Sequence, residues 1–277
     1  MRDPLLTGRM TLPEGMEVRG FDFTTQATAD EITIGIGYNR QPTNRLRNVY
    51  CSRAPAIIPD PTRQMKIQGH ANDSAYSVVG YTIAKQLTEI LAKHGAPSGP
   101  VLDWGCGCAR VIQHMPHEIL HGCDIDRDNI DWCRSNIKNA TFAEIKTNSP
   151  ADYSEGFFAA VYGISVFTHL NEAHETFWLN ELARITKADG LVLVSTHGAV
   201  AALRAGFGVA MTGNTNTLID RGINPDLDSF IEDKEYYRNV FHTPQYIYRN
   251  WGRHFEIEEI YEGIIGNNQD LVVLRKR

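Results

Sequence analysis

The stretch Val101-Leu102-Asp103-Trp104-Gly105-Cys106-Gly107-Cys108-Ala109-Arg110 holds the residue types that let a backbone close on a small ligand. Gly105 and Gly107 have no Cβ, so the chain there can turn through torsions closed to other residues and approach a bound group closely. Ala109 stands where a third glycine often lies, and its single methyl still permits close packing of a following helix on the preceding strand. Asp124 comes 17 residues after Gly107, at the end of a second expected strand. A carboxylate at that place accepts hydrogen bonds from both ribose hydroxyls of an adenosine group. A helix cap is the other role for Asp124, but Asp126 and Asp128 can cap the next helix without it. A glycine turn alone is weak evidence; with Asp124 it points to an adenosine-type cofactor.

A metal centre is the competing chemistry for this region. Five cysteines are present, Cys51, Cys106, Cys108, Cys123 and Cys133, an odd number with no disulfide spacing, as expected in a reducing compartment. Cys106-x-Cys108 has no second Cys/His pair at finger-like spacing, and His114 and His117 fall in and just after an expected helix. Small buried thiols are therefore expected, and no metal site.

Several elements have to position these residues. A helix is expected from Asn72 or Asp73, with Tyr76, Val79, Ile83, Leu87, Ile90 and Leu91 at helical spacing and Gly95 and Pro97 ending it. Short strands and helices then alternate. Strands are expected at Pro100–Asp103, Glu118–Asp124, Thr141–Ile145, Phe157–Tyr162 and Leu191–Ser195. Helices are expected at Ala109–Met115, from an Asp126 cap to about Lys138, and at Glu172–Lys187. A Thr243-Pro244 start opens a helix to about Trp251, and Phe255–Tyr261 and Asp270–Leu274 close the pattern. Such alternation predicts a mainly parallel sheet covered on both faces.

Two regions stand outside the alternation. Residues 1–70 carry candidate strands at Glu17–Thr24 and Glu31–Gly37, then a proline-rich run, Ala54–Pro61, whose prolines argue against a regular helix there. Residues 198–242 are rich in glycine and asparagine turns, and a segment this long between core elements is expected to cover a site. The expected division is an N-terminal arm and leading helix at 1–96 and a core at 97–277, with a cap inserted at about 198–242.

Taken together, these residues resemble the class I S-adenosylmethionine-dependent methyltransferases. The family's hydrophobic-Leu-Asp-x-Gly-x-Gly-x-Gly/Ala turn is matched by Val101–Ala109, and its Gly-x-Asp by Gly122-Cys123-Asp124. Ala160–Leu170 resembles the strand-four segment, and Glu181–Leu191 the passage into strand five. The resemblance covers residues 98–197 and, more loosely, 243–275. It implies an α/β, Rossmann-like, doubly wound sheet of seven strands in the order 3-2-1-4-5-7-6, with strand 7 antiparallel. It also implies S-adenosyl-L-methionine as cofactor. Asp103 and the backbone of Gly105, Cys106 and Gly107 would hold its methionine part, Asp124 its ribose, and Ile125 and Asn148 would lie by the adenine. Gly163 would end strand four beside it. A nicotinamide-dependent oxidoreductase is the rival, weakened by the lack of a Tyr-x-x-x-Lys pair after strand five.

For methyl transfer a general base adds to positioning. His169, His197 and His70 are the candidates, with His169 first, because all three fall near carboxyl ends of strands or an expected cap. Among Tyr76, Tyr81, Trp104, Tyr153 and Tyr162, Tyr76 is the first choice to face the sulfonium. The N-terminal region and the 198–242 insertion are expected to meet over the methyl group, with Tyr236 or Tyr237 among the lining residues.

The acceptor is less closely defined. Net charge is −6 and the basic clusters are short, so no nucleic-acid partner is expected. The Asn/Asp-Pro-Pro-Tyr sequence of nucleic-acid amino methyltransferases is absent, and Gly163-Ile164-Ser165-Val166 takes its place. An O or N atom of a small metabolite or sugar unit is therefore the first expectation. A protein or nucleic-acid methyltransferase, or a cofactor-binding subunit without catalysis, stays open. No apolar run approaches the roughly 20 residues of a membrane span, and Met1-Arg2-Asp3-Pro4 opens no signal segment. A cytoplasmic protein is expected, and nothing in the sequence excludes a homo-oligomer.

Overall fold

The computed structural model describes residues 56–206, 217–224 and 236–277, and before residue 56 the backbone of six short strands. These are β1 (Leu6–Thr7), β2 (Met10–Thr11), β3 (Glu17–Val18), β4 (Asp22–Ala27), β5 (Ile32–Gly37) and β6 (Arg47–Cys51). They pair antiparallel as a sheet β1-β4-β5-β6 and a separate ribbon β2-β3. The strand expected at Glu17–Thr24 is thus split between β3 and β4.

Helix α1 (Pro61–Gln68), which the sequence reading did not expect, begins at the last proline of the proline-rich run, whose residues 56–60 form no helix. Asp60 caps it by accepting from the Thr62 and Arg63 amides, and Pro61 occupies its first turn, where the missing N–H has no partner to lose. Gly69, at φ 75°, ends it. Helix α2 (Asp73–Lys93) starts at an Asn72 cap that accepts from Ala75, as expected.

The core elements follow in order: β7 (Val101–Trp104), β8 (Leu120–Asp124), α3 (Arg127–Asn136), β9 (Thr141–Glu144), β10 (Phe158–Gly163), α4 (Glu172–Ile185) and β11 (Thr186–Thr196). Then come α5 (Ala199–Arg204), β12 (Ile219–Ile223), β13 (Arg238–Phe241), α6 (Pro244–Asn250), β14 (Phe255–Ile265) and β15 (Gln269–Lys276). Seven of the strands form one sheet in the order β9-β8-β7-β10-β11-β15-β14. Its first five strands run parallel, and β15 lies antiparallel between β11 and β14. This is the expected 3-2-1-4-5-7-6 sheet with strand 7 reversed. No helix among the described residues is long and apolar enough to cross a membrane.

Alternation along the strands sorts the core into two layers. Val101, Leu191, Leu193, Leu271 and Val273 face one side, with Ile83, Leu87 and Leu91 of α2 and Ile130 of α3. Leu102, Val192, Val194, Val272 and Leu274 face the other, with Trp178 and Leu182 of α4 and Ile247 of α6.

The helix expected at Ala109–Met115 is not formed; a short 3-10 turn, Ile112–His114, stands in its place. Ala109 is left-handed at φ 58°, which breaks right-handed helical torsions. Pro116 then holds Met115 extended, at ψ 130°. α2 presses on this compact turn: a Cβ on Gly80 would lie 2.1 Å from the Arg110 carbonyl oxygen. Part of the 198–242 insertion is described, as α5 and an antiparallel β12–β13 hairpin, while residues 207–216 and 225–235 lie outside the described residues.

Candidate active site

A cavity of about 690 Å³ opens at the carboxyl ends of β7, β8, β9 and β10, the edge where open α/β sheets take ligands. Asp103, Gly105, Cys106, Gly107, Asp124, Ile125 and Asn148 all line it. The Gly105 and Cys106 amides donate to the Cys123 carbonyl at 2.8 and 3.0 Å, which ties the turn to β8. Both glycines are left-handed, at φ 76° and 52°. A Cβ on Gly105 would lie 2.4 Å from Val166 Cγ2, so the turn and the segment after β10 meet where only a glycine fits.

Asp124 is held in place before any ligand arrives. Its Oδ2 accepts from the Gly107 amide and its Oδ1 from the Asp126 amide, both at 2.8 Å. Burial raises its pKa, and the two amide hydrogen bonds oppose that shift. Each oxygen keeps a further lone pair for a ribose hydroxyl. Asp103 is buried on β7, and burial pushes its carboxyl up to about 7.

Three parts of the wall were given no site role by the sequence. α1 contributes Lys66 and Ile67; Lys66 Nζ lies 3.3 Å from Asp126, and Arg63 lies 2.9 Å from Asp128. The signal for this helix was the Asp60-Pro61 pair, a cap followed by a first-turn proline. Arg110 also lines the cavity, and its buried Nε has no hydrogen-bond partner among the described residues. Trp178 enters from α4 with no local signal.

On the far side the lining passes to Ile164, Ser165, Val166, His169 and Leu170, then to Tyr236 and Tyr237 of the insertion. His169 Nδ1 lies 2.8 Å from the Arg238 carbonyl oxygen, and its ring stacks on Tyr237 at 4.0 Å between centroids. A carbonyl only accepts, so Nδ1 carries the proton and Nε2 is left as the ring's acceptor. Burial lowers the His169 pKa to about 4, so the ring is neutral near pH 7.

The other sequence candidates lie elsewhere. His197 is outside the lining; its Nδ1 reaches the Val240 carbonyl at 3.2 Å and its ring packs on Phe241. His70 is exposed after α1 and is also outside the lining. Tyr76 is fully buried in α2, where its hydroxyl donates to the Cys108 carbonyl at 2.7 Å. It supports the turn from behind and does not face the cavity. Gly163 ends β10 but is not in the lining; a Cβ there would lie 2.6 Å from Trp104 Cε3. Trp104 lines the cavity, whereas Tyr81, Tyr153 and Tyr162 do not. Among the described residues no His, Cys, Asp and Glu cluster could hold a metal ion.

The residues present suit S-adenosylmethionine. Asp103 and Asp124 offer acceptors for an ammonium group and ribose hydroxyls, Arg110 an unmatched donor for a carboxylate, and the glycine turn a cradle that a Cβ would fill.

Comparison with known proteins agrees. A family model described as a methyltransferase domain matches residues 101–190. The fold is similar to that of magnesium protoporphyrin IX methyltransferase from Synechocystis PCC 6803 with bound S-adenosylhomocysteine. That structure is 14% identical, with 78% of this chain and 94% of that chain covered and a TM-score of 0.51. A glycopeptide N-methyltransferase complexed with S-adenosyl-L-methionine is 15% identical, covering 72% of this chain and 94% of that one at a TM-score of 0.50. A protein from Pyrococcus horikoshii OT3 is 19% identical, covering 73% and 95% at the same score. No curated protein matches the chain significantly in sequence. Residues 101–190 thus match a methyltransferase domain, and the glycine turn, the acidic residue ending β8 and the sheet order are the features the chain shares with the class I S-adenosylmethionine-dependent methyltransferases it resembles.

Proposed function

We propose that the chain transfers a methyl group to an O or N atom of a small-molecule acceptor enclosed between the β10 end and the insertion. The observation that carries this reading is that one cavity is lined both by the cofactor fingerprint and by His169 and Tyr237. Bound S-adenosylmethionine supplies an electrophilic methyl group on a sulfonium. Asp124 accepts from the ribose, Asp103 from the amino group, Arg110 donates to the carboxylate, and Ile125 and Asn148 flank the adenine. His169 Nε2 takes the proton that the acceptor loses. Holding the acceptor in line behind the methyl carbon lowers the barrier by about 7–11 kcal/mol, and the base adds about 10²–10⁴-fold. In this reading α1 and the insertion are the cap, and they exclude water from the reacting centre.

The test is formation of S-adenosylhomocysteine by the purified full chain against a panel of small hydroxyl and amine compounds. His169→Ala is expected to lower turnover on the accepted compound at least about 10²-fold with cofactor affinity unchanged. Turnover on a protein or an oligonucleotide alone would overturn the small-molecule assignment.

A further inference from the structure

The cavity is divided by charge. Every charged side chain among its described lining residues belongs to α1, to β7 and the turn after it, or to the ends of β8 and β9 and the segments that follow them. Among the described residues the lining beyond β10 holds none, and its walls there include Ile164, Ser165, Val166, His169, Leu170, Trp178, Tyr236 and Tyr237. The sheet order puts the two groups at opposite ends, because β10 lies on the far side of β7 from β8 and β9. Asp124 and the glycine turn assign the charged end to the cofactor. The uncharged end is left for the acceptor.

Three features of that end narrow its occupant. Among the described residues, an acceptor with a carboxylate, phosphate or ammonium group would bury that charge with no opposite charge beside it. Several polar atoms there already satisfy one another. Trp178 Nε1 donates to the Tyr236 hydroxyl at 3.1 Å, and the Ser165 hydroxyl lies 3.1 Å from Gln269 Oε1 and 2.9 Å from Gln269 Nε2. A polyol would find few partners for its hydroxyls, and each one left unmade is unfavourable. The wall is also flat: His169 and Tyr237 stack with 23° between their planes, a surface that suits a planar ring.

We propose that the acceptor is an uncharged aromatic ring bearing a hydroxyl, seated against the His169–Tyr237 pair with that hydroxyl directed at His169 Nε2. This rests on the methyl-transfer reading above. A lone pair of the ring oxygen forms the new O–C bond while the C–S bond breaks. Its electron pair passes to sulfur, turning the sulfonium into a neutral thioether, and the hydroxyl proton goes to His169 Nε2. Nothing else is consumed. The aryl methyl ether and S-adenosylhomocysteine are the products.

Calorimetric binding to the full chain saturated with S-adenosylhomocysteine tests the proposal without depending on turnover. The probes are 2-naphthol, 3-hydroxy-2-naphthoate and methyl α-glucoside. 2-Naphthol is expected to bind at least about ten-fold more tightly than either of the others. Tyr237→Ala is expected to weaken 2-naphthol about ten-fold while leaving S-adenosylhomocysteine affinity unchanged. Equal or tighter binding of the naphthoate or the glucoside overturns the proposal, as does no binding of 2-naphthol to the unaltered protein. Full 2-naphthol affinity in Tyr237→Ala overturns the seat proposed for the ring. Failure of S-adenosylhomocysteine itself to bind would instead remove the methyl-transfer reading, and that titration is run first.

Discussion

Removing the Asp124 carboxylate tests the cofactor site most directly, because its consequences for binding and for stability can be separated. In the proposed cofactor site, Asp124→Ala would deprive the ribose of an ionised acceptor for both hydroxyls. Hydrogen bonds to charged groups contribute about 1.5–3 kcal/mol each and are not fully additive, so a loss of about 2–4 kcal/mol is expected, or roughly 30- to 1000-fold in Kd. The Gly107 and Asp126 amides also lose their acceptor at 2.8 Å. Water entering the cavity can replace part of that, which leaves about 1–2 kcal/mol of lost stability. Asp124→Asn keeps one oxygen but sets an NH2 group against a backbone N–H, so it should fall between the two proteins in both respects. Calorimetry with S-adenosylhomocysteine reads the first effect and urea unfolding the second. Because burial raises the Asp124 pKa, affinity in the unaltered protein should also fall as acid protonates this carboxyl. Unchanged affinity in Asp124→Ala, with unfolding still cooperative, would remove Asp124 from the site.

Three further outcomes follow from the packing. Gly105→Ala and Gly69→Ala share a left-handed φ, but a Cβ meets Val166 at 2.4 Å only at Gly105, while Gly69 has open space; Gly105→Ala should cost about 1–3 kcal/mol more in urea unfolding, and equal losses would refute the crowding. Burial lowers both His169 and His197 to about 4 from an ordinary 6.5. The unfolded chain therefore binds more protons between those values, and stability present above about pH 6.5 is lost as pH falls toward 4. His169→Gln with His197→Gln should flatten that slope in unfolding measured from pH 7 to 4.5, and an unaltered slope would show that these rings do not set it. Glu175 is 1% exposed and receives Trp251 Nε1 at 2.6 Å and the Tyr246 hydroxyl at 2.9 Å, with His242 Nε2 at 2.6 Å. Glu175→Ala should lower stability by about 3–5 kcal/mol, and a loss below about 1 kcal/mol would make this network incidental.

The sequence by itself determined the local chemistry. The two glycines of the turn, the acid ending the second strand and the caps at Asn72, Asp126 and Thr243 were all legible. In each, the chain's own neighbours fix the backbone, and a few adjacent residues hold the whole cause. The strand–helix alternation carried the fold class in the same way, and the family resemblance carried the strand order. The tertiary structure decided which candidates share the cavity. The sequence put His169 first but left His197 and His70 beside it as candidates, and only His169 enters the lining, with Tyr237 of the distant insertion stacked on it. Tyr76 lies at helical spacing and gives no sign of which neighbour its face meets; the turn at Cys108 takes it. The helix expected after the glycine turn failed for a long-range reason as well as a local one, because α2 closes on Arg110 at Gly80. Periodicity reports which side of an element is buried, not what lies opposite. Lys66, Arg110 and Trp178 reach the cavity from elements far apart in the chain, and only folding brings them together.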